Sequence, residues 1–175
     1  MGNGNVGVTL WNEGGLTFQV NNGSWRVGNE PLSSGRVTLT TPALKQEQPT
    51  RFEQRLRLWE GTVTTRISGP AGDAAATAFA AEGEDCLVFR CQETGTGPRD
   101  LTLHLWRPTA HFVTGPDYVA VTEATDHQAD FLATAMCLLV SVDGADLKTE
   151  KRDAQTLRLS FAPRGSEYTV YLANP

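Results

Sequence analysis

Residues 51–60 read Arg-Phe-Glu-Gln-Arg-Leu-Arg-Leu-Trp-Glu, a stretch in which apolar and charged side chains largely alternate. Phe52, Leu56 and Leu58 would share one face of an extended chain, with Gln54 among them. The other face would carry Arg51, Glu53, Arg55, Arg57 and Trp59. A period of two is typical of a β-strand rather than of a helix. The stretch therefore predicts a strand over residues 51–60, and Gly61 predicts a turn at its end.

The same alternation recurs along most of the chain. It predicts strands near residues 6–10, 16–20, 36–40, 62–68, 74–81, 87–92, 101–106, 118–125, 131–142, 157–161 and 168–172. Asn22-Gly23 is predicted to be a tight hairpin turn, because both positions of such a turn favour positive φ. Residues 148–153 are predicted to be a charged excursion, and no segment predicts a helix. Roughly a dozen short strands predict an all-β fold, a large antiparallel two-sheet sandwich that forms a single domain over residues 1–175.

Charge and hydropathy exclude several partners. The formal net charge is −5, and lysine and arginine are scattered along the predicted strands instead of clustered. Nucleic acid and anionic membranes are therefore not expected as partners. No apolar run is long enough to span a bilayer, and no signal peptide opens the chain. This start predicts either a cytosolic protein or a chain whose leader has been removed, and a parent protein that is periplasmic or secreted stays open.

The number and spacing of the three cysteines do not indicate a disulfide framework. Cys86 and Cys91 are five residues apart on a predicted strand, so they should point to opposite faces. Cys137 completes an odd, sparse set. We expect buried and unreactive thiols.

No catalytic group is predicted. His104, His111 and His127 lack the close spacing that a metal site on one strand uses, so neither a metal nor another cofactor is expected. The sequence contains no Gly-x-Ser-x-Gly elbow and no phosphate-binding glycine motif. A pair of acidic residues suited to glycoside chemistry stays open, because such a pair is recognised by its separation in space.

Four tryptophans are the candidate carbohydrate-binding residues: Trp11, Trp25, Trp59 and Trp106. Alternation places Trp59 and Trp106 on the polar faces of their strands, Trp11 follows a strand, and Trp25 follows the predicted Asn-Gly turn. An exposed indole can stack on the apolar face of a sugar ring while neighbouring polar side chains bind its hydroxyls. The alternative is that these rings cover a second layer or an interface.

Three segments carry a family resemblance. The start of the chain, Met-Gly-Asn-Gly-Asn-Val-Gly-Val-Thr-Leu-Trp at residues 1–11, resembles the N-terminal β-sandwich of glycoside hydrolase family 95-like proteins. Residues 51–63 and 101–108 resemble an uncharacterised variant of that domain. The resemblance implies a super-sandwich that is non-catalytic by itself, beside a C-terminal helical catalytic domain. It also implies that Asn3 and Gly4 lie at an interdomain contact or cleft.

Three functions remain in competition at this point. The first is a non-catalytic carbohydrate-associated domain, either a sugar-binding module for oligo- or polysaccharides or the scaffold of a bacterial glycoside hydrolase. The second is a structural or assembly domain that pairs through an exposed apolar patch. The third is a small metal- or carboxylate-dependent glycan hydrolase or lyase.

Overall fold

The structure is a computed structural model. It describes residues 1–3, 6–27, 30–95, 97, 99–104, 110–115, 118–123, 136–142 and 147–173.

The described residues form two antiparallel sheets. In spatial order the six-stranded sheet contains β1 (Val6–Asn12), β2 (Leu16–Val27), β3 (Glu30–Thr40), β8 (Arg99–His104), β13 (Thr156–Phe161) and β12 (Lys148–Lys151). The eight-stranded sheet contains β4 (Arg51–Arg57), β5 (Thr62–Ser68), β6 (Ala74–Ala80), β7 (Cys86–Glu93), β14 (Glu167–Ala173), β11 (Met136–Val142), β10 (Val119–Glu123) and β9 (Ala110–Thr114). Every neighbouring pair in both sheets is antiparallel, so the predicted all-β, two-sheet architecture is confirmed.

The core lies between the two sheets. In most strands whose burial is described, alternate side chains point inward, and two aromatic contacts join the layers. The rings of Phe18 in β2 and Phe89 in β7 meet edge to face, with centroids 4.8 Å apart. Phe161 in β13 and Tyr168 in β14 meet similarly at 5.2 Å. Such pairs add about 0.5–1.5 kcal/mol beyond the burial of their apolar area.

A single helical turn, α1 (Pro42–Lys45), carries the chain from the six-stranded sheet to the eight-stranded sheet. The side chain of Thr41 accepts a hydrogen bond from the backbone N–H of Leu44 at 3.1 Å and so caps the turn. Pro42 occupies the first helical turn, where its missing N–H costs nothing. The absence of any helix was therefore a wrong prediction at this point, although α1 is only four residues long.

A buried ion pair fixes the crossing from β7 to β8. The Nε of Arg99 donates to Glu93 at 2.6 Å, and its two terminal nitrogens donate to the carbonyls of Gly97 at 2.5 Å and Gly95 at 2.7 Å. Both charged residues are buried. The guanidinium of Arg99 thus binds both Glu93 and the backbone of the loop that connects β7 to β8. An unpaired charge in this buried position would lower the stability of the fold.

Four details of the sequence prediction were wrong. Residues 22–23 do not turn the chain: β2 runs through them, and the pairing continues to Val27 opposite Glu30, with register shifts after Val20 and Asn21. The strand predicted over 51–60 ends at Arg57, so Trp59 lies in the following turn. Part of the predicted charged excursion is strand β12, and β9 was not predicted. Local turn propensity at residues 22–23 is outweighed by strand pairing on either side of them, to Val6 of β1 at Asn22 and to β3 from Arg26 onward.

Replacing Arg99 by methionine should leave Glu93 as a buried charge without its ionic partner. We expect Arg99→Met to lower the free energy of unfolding by about 3–5 kcal/mol, measured by urea denaturation. The double variant Glu93→Gln/Arg99→Met should lose less, because no buried charge remains. Arg152→Met, which breaks an exposed pair with Glu150, is the control and should behave as wild type. Equal losses for Arg99→Met and Arg152→Met would contradict this role.

Candidate functional site

The outer face of the six-stranded sheet carries two parallel rows of polar side chains around one tryptophan. Cross-strand register defines the first row as Trp11, Thr17, Thr38, Thr102, Arg158 and Glu150. The second row is Thr9, Gln19, Arg36, His104 and Thr156. These positions alternate with the buried leucine, valine and phenylalanine side chains of the same strands. The result is a sheet face rich in hydrogen-bonding groups, in which Thr9, His104 and Glu150 are exposed, Thr17 is buried and the others are half-buried.

Trp11, Glu13 and Arg36 form a cluster at one end of this face, here called the Trp11 cluster. The indole N–H donates to a carboxylate oxygen of Glu13 at 3.0 Å. The same carboxylate oxygen lies 3.8 Å from a terminal nitrogen of Arg36. The guanidinium carbon of Arg36 lies 5.8 Å from the centre of the Trp11 ring, within the range of a cation–π contact. The half-buried indole is therefore held in one orientation by two neighbours.

The turn between β1 and β2 places Glu13 in this cluster. Gly14 and Gly15 have φ values of 64° and 145°, which favour glycine. A Cβ at Gly15 would lie 2.5 Å from the carbonyl oxygen of Leu39, so a larger residue would force the turn away from β3. The backbone N–H of Glu13 donates to the carbonyl of Gly15 at 2.9 Å. The two glycines thus fold Glu13 back toward the Trp11 ring.

Asp100 organises the other end of the outer face. Its two carboxylate oxygens accept hydrogen bonds from Arg158 at 2.6 Å and from the hydroxyl of Ser160 at 2.7 Å. Partial burial alone would raise the pKa of Asp100, but these hydrogen bonds and the guanidinium charge outweigh it and hold the pKa below its usual value. Asp100 is therefore ionised at neutral pH, which suits a hydrogen-bond acceptor and not a proton donor.

A polar groove of about 510 Å³ lies on the outer face of the eight-stranded sheet. Its lining includes Arg90 and Gln92 from β7, Glu167 from β14, and Arg164 from the preceding loop. The guanidinium of Arg90 lies 5.5 Å from the centre of the Phe79 ring. The groove is a second place where hydroxyl-rich ligands could bind, and within the described part of the chain no tryptophan lines it.

An apolar surface follows the free edge of the eight-stranded sheet. The exposed fractions are 48% for Phe52, 52% for Leu56, 84% for Leu58 and 100% for Trp59, and these four side chains are here called the β4 edge cluster. A cleft of about 400 Å³ between β1 and β4–β5 lies beside it, and Leu56 lines that cleft. The inner face of β4 therefore lacks the cover that the six-stranded sheet gives to its neighbours.

The two cysteines whose side chains are described are free thiols, as predicted. Burial raises the pKa of Cys91 to about 12. Burial and the negative charge of Glu84 also raise the pKa of Cys86. A nucleophilic cysteine needs a lowered pKa, so neither side chain is suited to that chemistry.

Residues 1–142 match the N-terminal domain of a family described as a domain of unknown function, DUF5703. This match spans most of the 175 residues. The chain belongs to the DUF5703 family. No curated protein matches the chain. Since the family's description names no function, the function of this DUF5703 domain has to be argued from its surfaces.

The DUF5703 domain places the predicted tryptophans on different elements. Trp11 lies on the outer face of the six-stranded sheet, within β1 and not after it. Trp59 lies fully exposed in the turn between β4 and β5 of the other sheet. Trp25 lies in β2, in a stretch whose side chains the structure does not describe, and Trp106 lies outside the described residues. Of Trp11 and Trp59, the two whose side chains the structure describes, Trp11 is the one beside a row of polar side chains.

Asn3 has a clear structural contact. Its side-chain amide donates to the carbonyls of Ala81 at 3.0 Å and Glu84 at 2.7 Å, so it fastens the N-terminal segment to the turn between β6 and β7. The suggestion that Asn3 lies at an interdomain contact stays a prediction. Gly4, predicted with it, lies outside the described residues.

The described histidines lie apart in the fold. His104 is in β8 of the six-stranded sheet, His111 is in β9 of the eight-stranded sheet, and His127 lies outside the described residues. Among the residues that the structure describes, no three histidine, cysteine or acidic side chains form a group that could hold a metal. In the same part of the chain, no helix has the length and hydropathy to cross a membrane.

Sequence reasoning missed the partners of Trp11. Alternation with Val37 placed Arg36 on a polar face, but Arg36 lies two strands away from Trp11, with β2 between them. Glu13 stands directly before Gly14-Gly15, a glycine pair that indicates a hairpin turn between the strands predicted near residues 6–10 and 16–20. The turn was the signal in the sequence from which the position of Glu13 beside Trp11 could have been predicted.

The ionised form of Asp100 should contribute to stability. Because its folded-state pKa is lowered, the contribution is present above the unfolded pKa and is lost as pH falls through the folded one. We expect Asp100→Asn to be less stable than wild type at pH 7, and the difference should shrink as pH falls below about 4. Urea unfolding at pH 7 and at a pH below about 4 measures this difference in the free energy of unfolding. A difference that stays constant with pH would contradict the lowered pKa.

Proposed function

We propose that this DUF5703 domain is a non-catalytic carbohydrate-associated domain that contacts saccharides with the outer face of its six-stranded sheet. The observation that supports the proposal most directly is the Trp11 cluster. An indole held by Glu13 and Arg36 needs little further ordering when a sugar ring stacks on it, and pre-ordering lowers the entropic cost of binding.

The polar rows beside Trp11 supply the other half of sugar recognition. Gln19 carries an amide, Arg36 a guanidinium and His104 an imidazole, so both donors and acceptors are present for hydroxyl groups. Gln19 directly opposes Arg36 across the β2–β3 pair, and Arg36 directly opposes His104 across the β3–β8 pair. These side chains therefore lie close enough to contact one extended ligand, and oligo- or polysaccharides are the ligand class that fits.

A non-catalytic role agrees with the state of the acidic groups on this face. Glu13 is hydrogen-bonded to an indole, and Asp100 to Arg158 and Ser160. With its pKa lowered, Asp100 is a poor general acid at neutral pH. In the wider proposal, the domain serves a glycoside hydrolase whose helical catalytic part follows it in a longer protein, as the resemblance to family 95-like proteins implies.

An assembly domain is the second candidate function. The β4 edge cluster favours it, because four large apolar side chains lie together at one exposed sheet edge. Contiguous apolar surface of this kind usually marks a contact with another protein surface.

A glycan and polysaccharide panel, followed by titration of intrinsic tryptophan fluorescence, tests the carbohydrate proposal. We expect at least one saccharide to give a saturable change. Trp11→Ala should weaken its binding by tenfold or more, equivalent to about 1.4 kcal/mol. His104→Ala should weaken binding less, since it removes a hydrogen bond and no stacking platform.

Trp59→Ala is the matched control, because Trp59 is exposed but lies on the other sheet. It should leave the affinity unchanged. Circular dichroism establishes that each variant is folded. Failure of the folded wild-type domain to bind any saccharide of the panel would refute the proposal, as would binding that depends on Trp59 and not on Trp11.

A further inference from the structure

Strand β4 is a sheet edge with little protection. Among the described residues it pairs with β5 alone, over seven residues in unbroken register. It contains no proline and no bulge, the usual means of blocking an edge. The edge strand β12 of the other sheet differs, because it has only four residues and exposed charges on both faces. An open strand of this length offers backbone N–H and carbonyl groups to another strand.

The two faces of β4 differ in character. Phe52 and Leu56 lie on the same side as the buried Val63 and Ile67 of β5, yet about half of each side chain is exposed. The opposite face carries charges of both signs in alternate positions. A partner strand must therefore supply apolar groups on one side and complementary charges on the other.

We propose that β4 pairs antiparallel with β4 of a second copy of this chain, about a two-fold axis at Gln54. In this register Phe52 of each copy lies opposite Leu56 of the other. Glu53 of each copy likewise lies opposite Arg55 of the other. In a two-fold contact each cross-strand pair occurs twice, so the same strand supplies both members of every pair. Apolar and oppositely charged cross-strand pairs are the pairs that stabilise a sheet.

The neighbouring registers are less favourable. Only shifts of two residues keep the same faces together. One such shift places Glu53 opposite itself and Arg51 opposite Arg55, and the other places Arg55 opposite itself. The proposed register has one like-charged pair, Arg51 opposite Arg57, at each end of the contact. There Arg57 is already paired with Glu60 at 3.2 Å, and Arg51 with Glu53 at 2.8 Å, within each chain.

The same register brings the turn after β4 into the contact. Leu58 and Trp59 directly follow β4, so the turn that contains them would lie beside the segment that precedes β4 in the other copy. Phe52 and Leu56 would then be covered by each other across the contact, and the two eight-stranded sheets would continue into one another. Because Trp11 lies on the outer face of the other sheet, this pairing is independent of the carbohydrate proposal.

Sedimentation velocity of the 175-residue chain over a wide concentration range tests the pairing. We expect a monomer–dimer equilibrium. Glu53→Arg and Arg55→Glu should each raise the dimer Kd by about tenfold or more, because each creates two like-charged pairs. An equimolar mixture of the two variants should associate again, since both pairs between positions 53 and 55 are then oppositely charged across the heterodimer. The double variant should also recover, and circular dichroism shows that each protein is folded.

Cysteine cross-linking tests the register. Directly opposed residues of antiparallel strands have Cα atoms about 4.5–5.5 Å apart, within reach of a disulfide. Gln54→Cys should therefore form a covalent dimer on mild oxidation, whereas Phe52→Cys and the wild-type chain should not. A chain that stays monomeric at every concentration, a dimer insensitive to charge reversal, or equal cross-linking at positions 52 and 54 would overturn the proposal.

Discussion

The contact between the two inner sheet faces is the constraint on which the rest of the molecule depends. Phe18 and Phe89, one from each sheet, meet in this layer, and most strands contribute buried aliphatic side chains to it. The layers are unequal, since six strands face eight. A wider sheet cannot be fully covered by a narrower one, and the uncovered part falls at β4. The apolar edge of the molecule is thus a consequence of how its core is built.

Because the core lies between the inner faces of the two sheets, the residues on the outer faces are not needed for it. Every second residue of a strand contributes its side chain to the core, so the intervening positions can carry polar side chains without reducing the apolar area that is buried. In the six-stranded sheet these positions hold Trp11, Arg36 and Asp100, each with a specific partner. In the eight-stranded sheet they hold Arg90 and Gln92, which line a groove. Apolar core contacts and polar side chains are therefore assigned to opposite faces of the same strands.

Much of the fold was predictable, because the deciding signals are local. The segment 62–68, rich in β-branched residues and preceded by Gly61, matches β5 at both ends. Prediction failed where pairing between strands that are distant in the sequence determines the local structure. Asn22-Gly23 has ideal turn chemistry, yet β2 continues through it, with Asn22 paired to Val6 of β1 and the pairing with β3 resuming at Arg26. The exposure of Phe52 could not be foreseen either, because alternation shows which residues share a face and not whether another layer covers it. For the candidate site, alternation placed Arg36 on a polar face, but its proximity to Trp11 depends on the registers of β1, β2 and β3.

Strand β14 lies between β7 and β11, although residues 167–173 follow both of them in the chain by many positions. During synthesis, β7 and β11 therefore exist before the strand that joins them. Until β14 is in place, each has an unpaired edge, and such edges are the surfaces through which partly folded β-proteins aggregate. The residues that match the DUF5703 family stop at 142 and do not include β14. A protein shortened to those residues would have a gap in the middle of its larger sheet, with the facing edges of β7 and β11 both left unpaired.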